Sequence, residues 1–542
     1  MARANDRGSR RDVFITHPAF IFALIFTALF LMHAPLLRLP YFWDEAGYFV
    51  PAAYDIYTGG DLIPHSTLSN AHPPLVMLWL AVWWKLSAFT PAVTRVAMLL
   101  ISAFALLGIH RLALRVANAK VAAATVFCTA LYPVFFAQSS MAHLDLAAAA
   151  FTLWGVAMYV ERRRAIAIVL FSLAALAKET AIVTPVALAA WELACPFVSR
   201  LQWLRRGIDE PVCLEREPLT RTFALLFAGV PLALWYVFHF HKTGYVFGNP
   251  EFVAYNVAAT LSPVRIVLAL FTRLWHVLAY MNLFVLTLAA LFAMDRPALR
   301  DDGVERKRIA FNVQFVFLVL IVAHVIEFAV LGGAALARYM LPVIPLVIIV
   351  CVSTLYRRVR QWMLWVAVAC ASFVLALFVN PPFNFAPEDN LAYADYVALH
   401  KSAASVLSQH YAGRRVLTAW PANDELTKPF LGYVKQPLEI VRIENFAAEQ
   451  LIGAAQHREA YEVALVFSTK YEPRISMFQR LPFWQRIQER YFDYHRDLPP
   501  GAAADILQGK IVWQQRRGRQ WIAIIAVEHV ENAKLRQLAI GN

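Results

Sequence analysis

The chain has 542 residues, of which 60% are hydrophobic and only 16% are charged. Soluble domains average about 45–50% and about 25%, so this composition excludes an ordinary soluble protein and indicates a membrane protein. The net charge of +13 does not indicate a nucleic-acid partner, because the lysines and arginines cluster in short loops between apolar segments, where they set membrane orientation and meet anionic lipid.

The first apolar segment follows Arg7, Arg10 and Arg11. A basic start before an apolar run is also typical of a signal peptide. The run ends in Leu31-Met-His-Ala-Pro-Leu-Leu-Arg38, however, without a small-x-small cleavage site. We therefore predict an uncleaved first membrane span.

Residues 73–89 decide the orientation of the segments that follow. They are apolar enough to span a membrane but contain Lys85 and the tryptophans Trp79, Trp83 and Trp84. If they do not cross, the later basic loops lie on the side of the N-terminal arginines, and if they cross, those loops lie on the opposite side. Because cytoplasmic loops are enriched in Lys and Arg, we predict a juxtamembrane helix that lies in the interface.

We predict a polytopic α-helical membrane domain over residues 1–379, whose outer loop 37–92 carries juxtamembrane helices. A span needs about 20 residues to cross about 30 Å of hydrocarbon. The predicted spans are approximately 18–36, 94–113, 121–139, 143–160, 165–178, 180–197, 222–240, 266–294, 309–331, 339–355 and 362–379. About eleven crossings place the tail on the outer side, opposite the basic loops. The span 266–294 is long enough to be tilted or broken.

The first outer loop contains two adjacent carboxylates, Asp44 and Glu45. Carboxylates beside a membrane serve as a general base or as metal ligands. The alternative is a solvated acidic turn, the more common setting for an adjacent Asp-Glu pair. The same loop continues through Gly60-Asp61 to His72-Pro73-Pro74-Leu75.

Two further outer turns carry ionisable groups. His143 and Asp145 follow the third span, where they either bind a cation, orient an acceptor, or only cap a helix. Lys178 and Glu179 lie between two short spans with almost no loop. An ionisable side chain near the membrane interior costs free energy unless it is paired or takes part in function. Lys178 and Glu179 are therefore either functional residues or an ion pair whose side chains extend to water.

The fourth outer turn follows the ninth span and contains Gly332-Gly333, Arg338 and Tyr339. Glycines allow close backbone approach, and the planar guanidinium suits phosphate, although an isolated arginine at the end of a span is also an interfacial anchor. Four separate turns thus bring ionisable groups to one face. Carboxylates and phosphate-binding cations beside a membrane indicate chemistry on a lipid-linked phosphate.

The order of these motifs resembles the bacterial GT-C glycosyltransferases, within the branch of the protein O-mannosyltransferases and the aminoarabinose transferase of lipid A. The resemblance extends over most of residues 15–380. The matching motifs are Asp44-Glu45, Gly60-Asp61, His72-Pro73-Pro74-Leu75, Arg95, Asp145, Lys178 and Arg338-Tyr339-x-x-Pro342.

The resemblance implies a hexosyl- or pentosyltransferase of the bacterial cell envelope, multi-pass in the cytoplasmic (inner) membrane. Its donor would be a polyprenyl (undecaprenyl) phosphate sugar, transferred with inversion at the outer face to a lipid, glycan or protein. By resemblance, Asp44 is the candidate general base, with Glu45 beside it, and Asp145 is the second acidic residue. Lys178 and Arg338 match positions that bind the donor phosphate.

His72 departs from the family pattern, because many relatives have Lys before the Pro-Pro pair. Histidine attracts phosphate only when protonated, so its predicted role in phosphate binding is conditional. His143, Glu179 and Tyr339 are expected to make further donor or acceptor contacts. A divalent cation, Mg²⁺ or Mn²⁺, would be held by Asp44, His143 and Asp145, and a reaction without metal is the alternative.

Residues 380–542 read as a soluble, extracytoplasmic α/β domain. We predict buried strands at Arg415–Trp420 and Val463–Ser468, a hairpin of Lys510–Gln515 with Gln520–Val527, and a helix over Tyr393–Tyr411. The domain contains no independent catalytic motif. It either covers the catalytic cavity, selects the acceptor, or only stabilises the chain.

Two functions of other classes remain as alternatives. A transporter or flippase for a polyprenyl-linked glycan would also be polytopic and basic, but transporters place charges at mid-membrane and show internal repeats. Here the charges lie at the ends of the spans. A scaffold subunit gives no reason for the set of ionisable residues on the outer face.

Overall fold

The computed structural model describes residues 17–200, 212–213, 218–473 and 481–527. They form two compact units. The membrane unit contains the described parts of Met1–Leu37 and Asp55–Val379. The C-terminal unit contains Arg38–Tyr54 together with the described parts of Asn380–Asn542. The segment that carries Asp44 and Glu45, which we predicted within the outer loop of the membrane domain, is thus grouped with the C-terminal unit.

Apolar helices build the membrane unit. Six described helical segments are long and apolar enough to cross a membrane, namely Pro18–Leu36, Pro91–Val116, Glu179–Val198, Leu219–Thr243, Pro263–Ala293 and Phe311–Val330. Shorter apolar helices are Leu75–Leu86, Ala119–Leu131, Leu144–Val160, Arg164–Ala177 and Trp362–Phe378. Further helices are Pro133–Gln138, Pro250–Asn256 and Ile344–Arg358. The chain is a multi-pass membrane protein, as predicted, while the number of eleven crossings stays a prediction.

Side-chain caps fix where several of these helices begin. Thr90 precedes Pro91, and its side chain accepts a hydrogen bond from the Val93 amide. Asn118 caps the next helix in the same way through the Val121 amide. Each cap satisfies an amide that has no partner within its helix, so the turns between the helices are sharply defined.

The long apolar segment Pro263–Ala293 is broken, which confirms one of the two predicted possibilities. Met281 and Asn282 have φ angles of 47° and 67°, in the left-handed region that interrupts a helix. The helix therefore ends at Leu278 and resumes at Leu283. Asn282 Nδ2 donates a hydrogen bond of 2.8 Å to the Ser372 carbonyl, which holds the break in place.

The helix Leu75–Leu86 has 12 residues, so it is about 18 Å long at about 1.5 Å per residue. Trp79 Nε1 donates to the Ala97 carbonyl at 3.1 Å, and Trp84 Nε1 donates to Thr94 Oγ1 at 2.9 Å. The helix therefore packs against the start of Pro91–Val116. Its length is below the roughly 30 Å of a full crossing, and its position in the membrane interface stays a prediction.

The helices Pro91–Val116 and Leu144–Val160 carry candidate site residues at one end and lead into basic loops at the other. At one end Arg95 NH1 donates to the Ser140 carbonyl at 3.0 Å, close to the start of the helix that carries Asp145. At the other end Arg111 forms two hydrogen bonds of 2.7 Å with Glu161. The two groups of residues are thus separated by the length of a helix, as the sequence predicted.

The C-terminal unit contains a five-stranded sheet. Its strands are β3 Val416–Ala419, β4 Ile440–Ile443, β5 Val463–Phe467, β6 Gly509–Arg517 and β7 Gln520–Val527, after a short hairpin of β1 Arg300–Asp301 and β2 Val304–Glu305 in the membrane unit. The order is β4-β3-β5-β7-β6. Strand β3 pairs in parallel with β4 and β5, and β7 pairs antiparallel with β5 and β6.

The burial of the strands follows their place in the sheet. All residues of β3 and β5 are buried, as expected for central strands covered on both faces, whereas β6 alternates along an exposed edge. The described helices of this unit are Ala392–His410, Ala422–Thr427, Ala448–Ala455, Pro482–Phe492 and Pro500–Leu507, together with the first part of Val50–Thr58, which continues into the membrane unit after Tyr54. The predicted strands, hairpin and helix of the tail are confirmed.

Candidate active site

Asp145 lies at the centre of the candidate site in the membrane unit. It is the second residue of the helix Leu144–Val160, and its side chain is 4% exposed. Its Oδ1 is 2.6 Å from Lys178 Nζ, and its Oδ2 is 3.2 Å from Arg338 Nε. One buried carboxylate therefore joins two cations from two other turns, all three predicted from the sequence.

The ends of helices bring the two cations to Asp145. Lys178 directly follows the helix Arg164–Ala177, where the chain turns in an extended conformation. Arg338 lies in the short 3₁₀ turn Ala337–Met340 and is 3% exposed. Because both side chains start at the same end of the helices as Asp145, the charges are paired inside the unit, as buried ionisable groups in a membrane protein require.

His143 extends the network of Arg338. The guanidinium NH1 lies 3.3 Å from His143 Nδ1. His143 Nδ1 in turn lies 2.7 Å from Gln138 Oε1. His143 and Gln138 are both fully buried. Arg338 thus contacts two predicted site residues, Asp145 and His143, through different nitrogens of its planar guanidinium.

The Tyr339 ring covers Lys178. The ammonium lies 4.2 Å from the ring centroid, a cation–π distance, and the Phe328 ring stacks on Tyr339 with 4.9 Å between centroids. A small cavity is lined by Asp145, Ala148, Lys178, Thr180, Ala181, His324, Phe328, Tyr339 and Pro342. Lys178 and Arg338 offer charged hydrogen-bond donors at this place, which suit an anionic group such as a phosphate.

His72 and Glu179 form a second pair. His72 Nδ1 lies 3.0 Å from Glu179 Oε2, and its ring packs edge-on against Phe252 with 5.3 Å between centroids. Glu179 directly follows Lys178 in the chain, so this pair adjoins the Asp145 network. The predicted phosphate contact of His72 stays a prediction, and its observed partner is a carboxylate.

Asp44 and Glu45 belong to the C-terminal unit. Glu45 is fully buried and its Oε2 accepts a hydrogen bond of 2.9 Å from the Phe42 amide, so this carboxylate stabilises its own turn. Asp44 is partly exposed. Of the two, Asp44 is therefore the carboxylate that a substrate can reach more readily.

The described residues show no preformed group of metal ligands. Within the described ranges, no group of three or more His, Cys, Asp or Glu side chains is arranged to hold a metal ion. Both oxygens of Asp145 face cations, so a divalent ion would have to displace Lys178 or Arg338. The involvement of Mg²⁺ or Mn²⁺ remains a prediction without support from this arrangement.

Sequence reasoning missed Arg273, which supports the turn that carries Arg338. Its guanidinium donates to the Phe328 carbonyl at 3.0 Å and to the Leu336 carbonyl at 2.7 Å, and the side chain is 1% exposed. Its position in an otherwise apolar segment was the available indication, because buried arginines in such segments are expensive and usually have a specific role.

Arg265 acts on the same loop and was also missed. It lies on the same helix as Arg273, and its NH2 donates to the carbonyls of Gly332 and Gly333 at 2.7 and 3.0 Å. Two arginines of one helix thus bind the backbone of the glycine-containing loop. Arg265 and Arg273 therefore hold the loop that leads to Arg338.

Comparison with known proteins agrees with the fold. No family model matches the chain, and no curated protein matches it significantly. The crystal structure of ArnT from Cupriavidus metallidurans in the apo state matches with a TM-score of 0.51 and 15% identity, over 94% of this chain and 98% of that one. The structure of the same protein bound to undecaprenyl phosphate gives 0.52 and 15%, over 93% and 97%.

A third match is weaker. The Archaeoglobus fulgidus oligosaccharyltransferase in complex with Zn and sulfate has a TM-score of 0.45 and 12% identity, over 83% of this chain and 68% of that one. The similarity to ArnT extends over nearly the whole of both chains and confirms the resemblance predicted from the sequence: this protein has the GT-C fold.

Proposed function

We propose that the protein is a membrane glycosyltransferase that moves a sugar from a polyprenyl phosphate, such as undecaprenyl phosphate, to an acceptor. The observation that carries this proposal is the buried pairing of Lys178 and Arg338 with Asp145 beside a cavity. The fold supports it, because ArnT, which shares the fold, has been solved with undecaprenyl phosphate bound. A fold alone does not establish a function, so the proposal rests on the charged residues.

On the donor side, Lys178 and Arg338 bind the phosphate. Transfer breaks the bond between the sugar C1 and the phosphate oxygen, and negative charge grows on the departing polyprenyl phosphate. Cations that are already fixed by Asp145 stabilise this charge without reorganising, which is the main source of electrostatic catalysis. Tyr339 shields the lysine ammonium from water, which strengthens its attraction to the phosphate.

On the acceptor side, Asp44 is the general base. It accepts the proton of the acceptor hydroxyl as the oxygen attacks C1 from the face opposite the phosphate, so the configuration at C1 is inverted. Glu45 keeps the turn in shape through the Phe42 amide. His143 and Glu179 orient Arg338 and His72, respectively.

We place this reaction at the outer face of the bacterial cytoplasmic membrane. The basic loops lie at the helix ends opposite Asp145, and cytoplasmic loops are the ones enriched in Lys and Arg. The acceptor is a lipid, a glycan or a protein, and the sugar is a pentose or a hexose.

The alternative is a flippase for a polyprenyl-linked glycan. A transfer assay with protein purified in lipid separates the two functions: lipid-linked sugar donors are added, and sugar on an acceptor is measured together with sugar moved between leaflets. The proposal predicts transfer to the acceptor that Asp44→Asn abolishes. Movement between leaflets without any transfer, unchanged by Asp44→Asn, would support the flippase instead.

A further inference from the structure

The parallel strands of the C-terminal unit create a switch point. The connection after β3 leads to β4 on one side, whereas the connection after its other neighbour, β5, leads to β6 at the opposite edge of the sheet. In open α/β sheets, ligands bind outside the carboxyl ends of the strands at such a point. The residue at this end of β3 is Trp420.

In this protein Trp420 contacts the acidic segment, which we define as residues Arg38–Tyr54 with Asp44 and Glu45. It does so instead of bordering an open crevice. The Trp43 ring meets Trp420 edge-on at 5.1 Å and Tyr396 at 5.7 Å. Phe42 contacts the same tyrosine at 5.1 Å. The two residues before Asp44 are therefore packed among aromatic side chains of the C-terminal unit.

Gly47 shows how closely the indole approaches. A Cβ atom at this position would lie 2.4 Å from Trp420 Nε1 and 2.5 Å from Cζ2, distances that real Cβ atoms essentially never show. The backbone on the far side of Asp44 thus lies directly against the tryptophan ring. Any residue larger than glycine must displace one of the two.

The ends of the acidic segment are also attached to the C-terminal unit. Tyr433 Oη donates a hydrogen bond of 2.8 Å to the Tyr41 carbonyl, and the rings of Tyr54 and Phe430 stack at 4.3 Å. The segment is therefore held before, at and after its carboxylates. The C-terminal residues that make these contacts belong to no catalytic motif of their own.

We propose that Trp420 is a positioning residue for Asp44, and that the C-terminal unit serves the reaction by holding this carboxylate in place. This inference rests on the proposed function, in which Asp44 is the base. It assigns the tail a role in catalysis itself. Selection of the acceptor is not required for that role.

The position of the segment is tested by labelling, which needs no activity. Ala46 is fully buried, so a cysteine introduced as Ala46→Cys in the full-length protein should resist a maleimide. Adding Trp420→Ala should raise its labelling rate at least tenfold, whereas Trp513→Ala on the edge strand β6 should not. Only variants that elute like the wild-type protein are compared.

The catalytic role is tested by kinetics. Trp420→Ala should lower kcat about 10²-fold, because a misplacement of about 1 Å has such an effect, and should leave the affinity for undecaprenyl phosphate within twofold. Gly47→Ala should lower kcat similarly, and adding Trp420→Phe should restore part of it by removing the indole Nε1.

Unchanged labelling in Trp420→Ala would overturn the inference and leave the proposed function intact. Increased labelling with unchanged kcat would also overturn it, because the turn would then move without effect on the reaction. If the wild-type protein transfers no sugar at all, the proposed function fails, and the inference about catalysis fails with it.

Discussion

Lys178 Nζ donates a hydrogen bond of 2.6 Å to Asp145 Oδ1, although the two residues belong to different turns. The second oxygen of the same carboxylate faces Arg338 at 3.2 Å. The site therefore holds its two cations in place before any substrate arrives. This arrangement explains why the two cationic side chains are stable inside an apolar unit.

Replacing the carboxylate should destabilise the membrane unit. Asp145→Asn leaves two buried cations without a counter-charge, and breaking a buried pair typically costs about 3–5 kcal/mol. We expect a clearly lower unfolding temperature for the purified variant in detergent. Asp395→Asn, at a half-exposed pair with Arg517 in the C-terminal unit, is the control and should change little. Equal unfolding temperatures for both variants would contradict the account.

Removing the lysine charge should weaken donor binding. Lys178→Met removes a charged hydrogen-bond donor worth about 1.5–3 kcal/mol, so the affinity for undecaprenyl phosphate should fall roughly 10- to 100-fold. Binding is measured by titration of the purified protein. The exposed Lys242 provides the matched control, because Lys242→Met removes a charge outside the network. A loss of affinity in both variants alike would show only a general charge effect.

The loop before Arg338 should loosen when its support is removed. Arg273→Met loses the hydrogen bonds to the Phe328 and Leu336 carbonyls. We expect faster hydrogen exchange of the amides in residues 331–338 and a lower kcat. Leu274→Ala, at a partly exposed neighbouring position, should alter neither. Unchanged exchange in Arg273→Met would mean that the loop is held by other contacts.

Chelation should leave transfer activity unchanged. Within the described residues no group of three or more His, Cys, Asp or Glu side chains is arranged to hold a metal ion, and the oxygens of Asp145 face cations. Transfer is measured before and after EDTA treatment. Activity that disappears with EDTA and returns with Mg²⁺ or Mn²⁺ would restore the metal hypothesis for Asp44, His143 and Asp145.

Topology reporters should place residues 90 and 115 on opposite sides of the membrane. The helix Pro91–Val116 separates these positions and is long and apolar enough to cross. A reporter fused after residue 90 should lie outside the cell, and one fused after residue 115 should lie inside. The reverse result would place the Asp145 site on the cytoplasmic face.

The sequence predicted the helices and the central charges for physical reasons. Apolar length and basic loops define membrane segments, and ionisable residues at the ends of spans indicated Asp145, Lys178 and Arg338 as a set. The pairing itself could not be predicted, because an acidic or basic residue at a turn does not reveal its partner. The supporting Arg273 was missed because its hydrogen bonds to the Phe328 and Leu336 carbonyls join it to residues distant in the chain.

The sequence also did not predict that the acidic segment packs with the C-terminal unit. Asp44 is close in the chain to the first apolar helix, which favoured assigning it to the membrane domain. Its aromatic neighbours contact partners more than 300 positions away, including Tyr396 and Trp420. Such long-range packing depends on the folded sheet and leaves no periodic pattern.

The measurement that tests the central claim most directly follows both products of the reaction. Purified protein is incubated with undecaprenyl-phosphate-linked sugars isolated from membranes and with a membrane extract that supplies lipid, glycan and protein acceptors. Free undecaprenyl phosphate and the anomeric configuration of the sugar transferred to an acceptor are then determined. The account predicts that the wild-type protein releases undecaprenyl phosphate with inversion at C1 and that Asp44→Asn does not. Movement of intact lipid-linked sugar between leaflets without release of undecaprenyl phosphate, equal in both proteins, would contradict it.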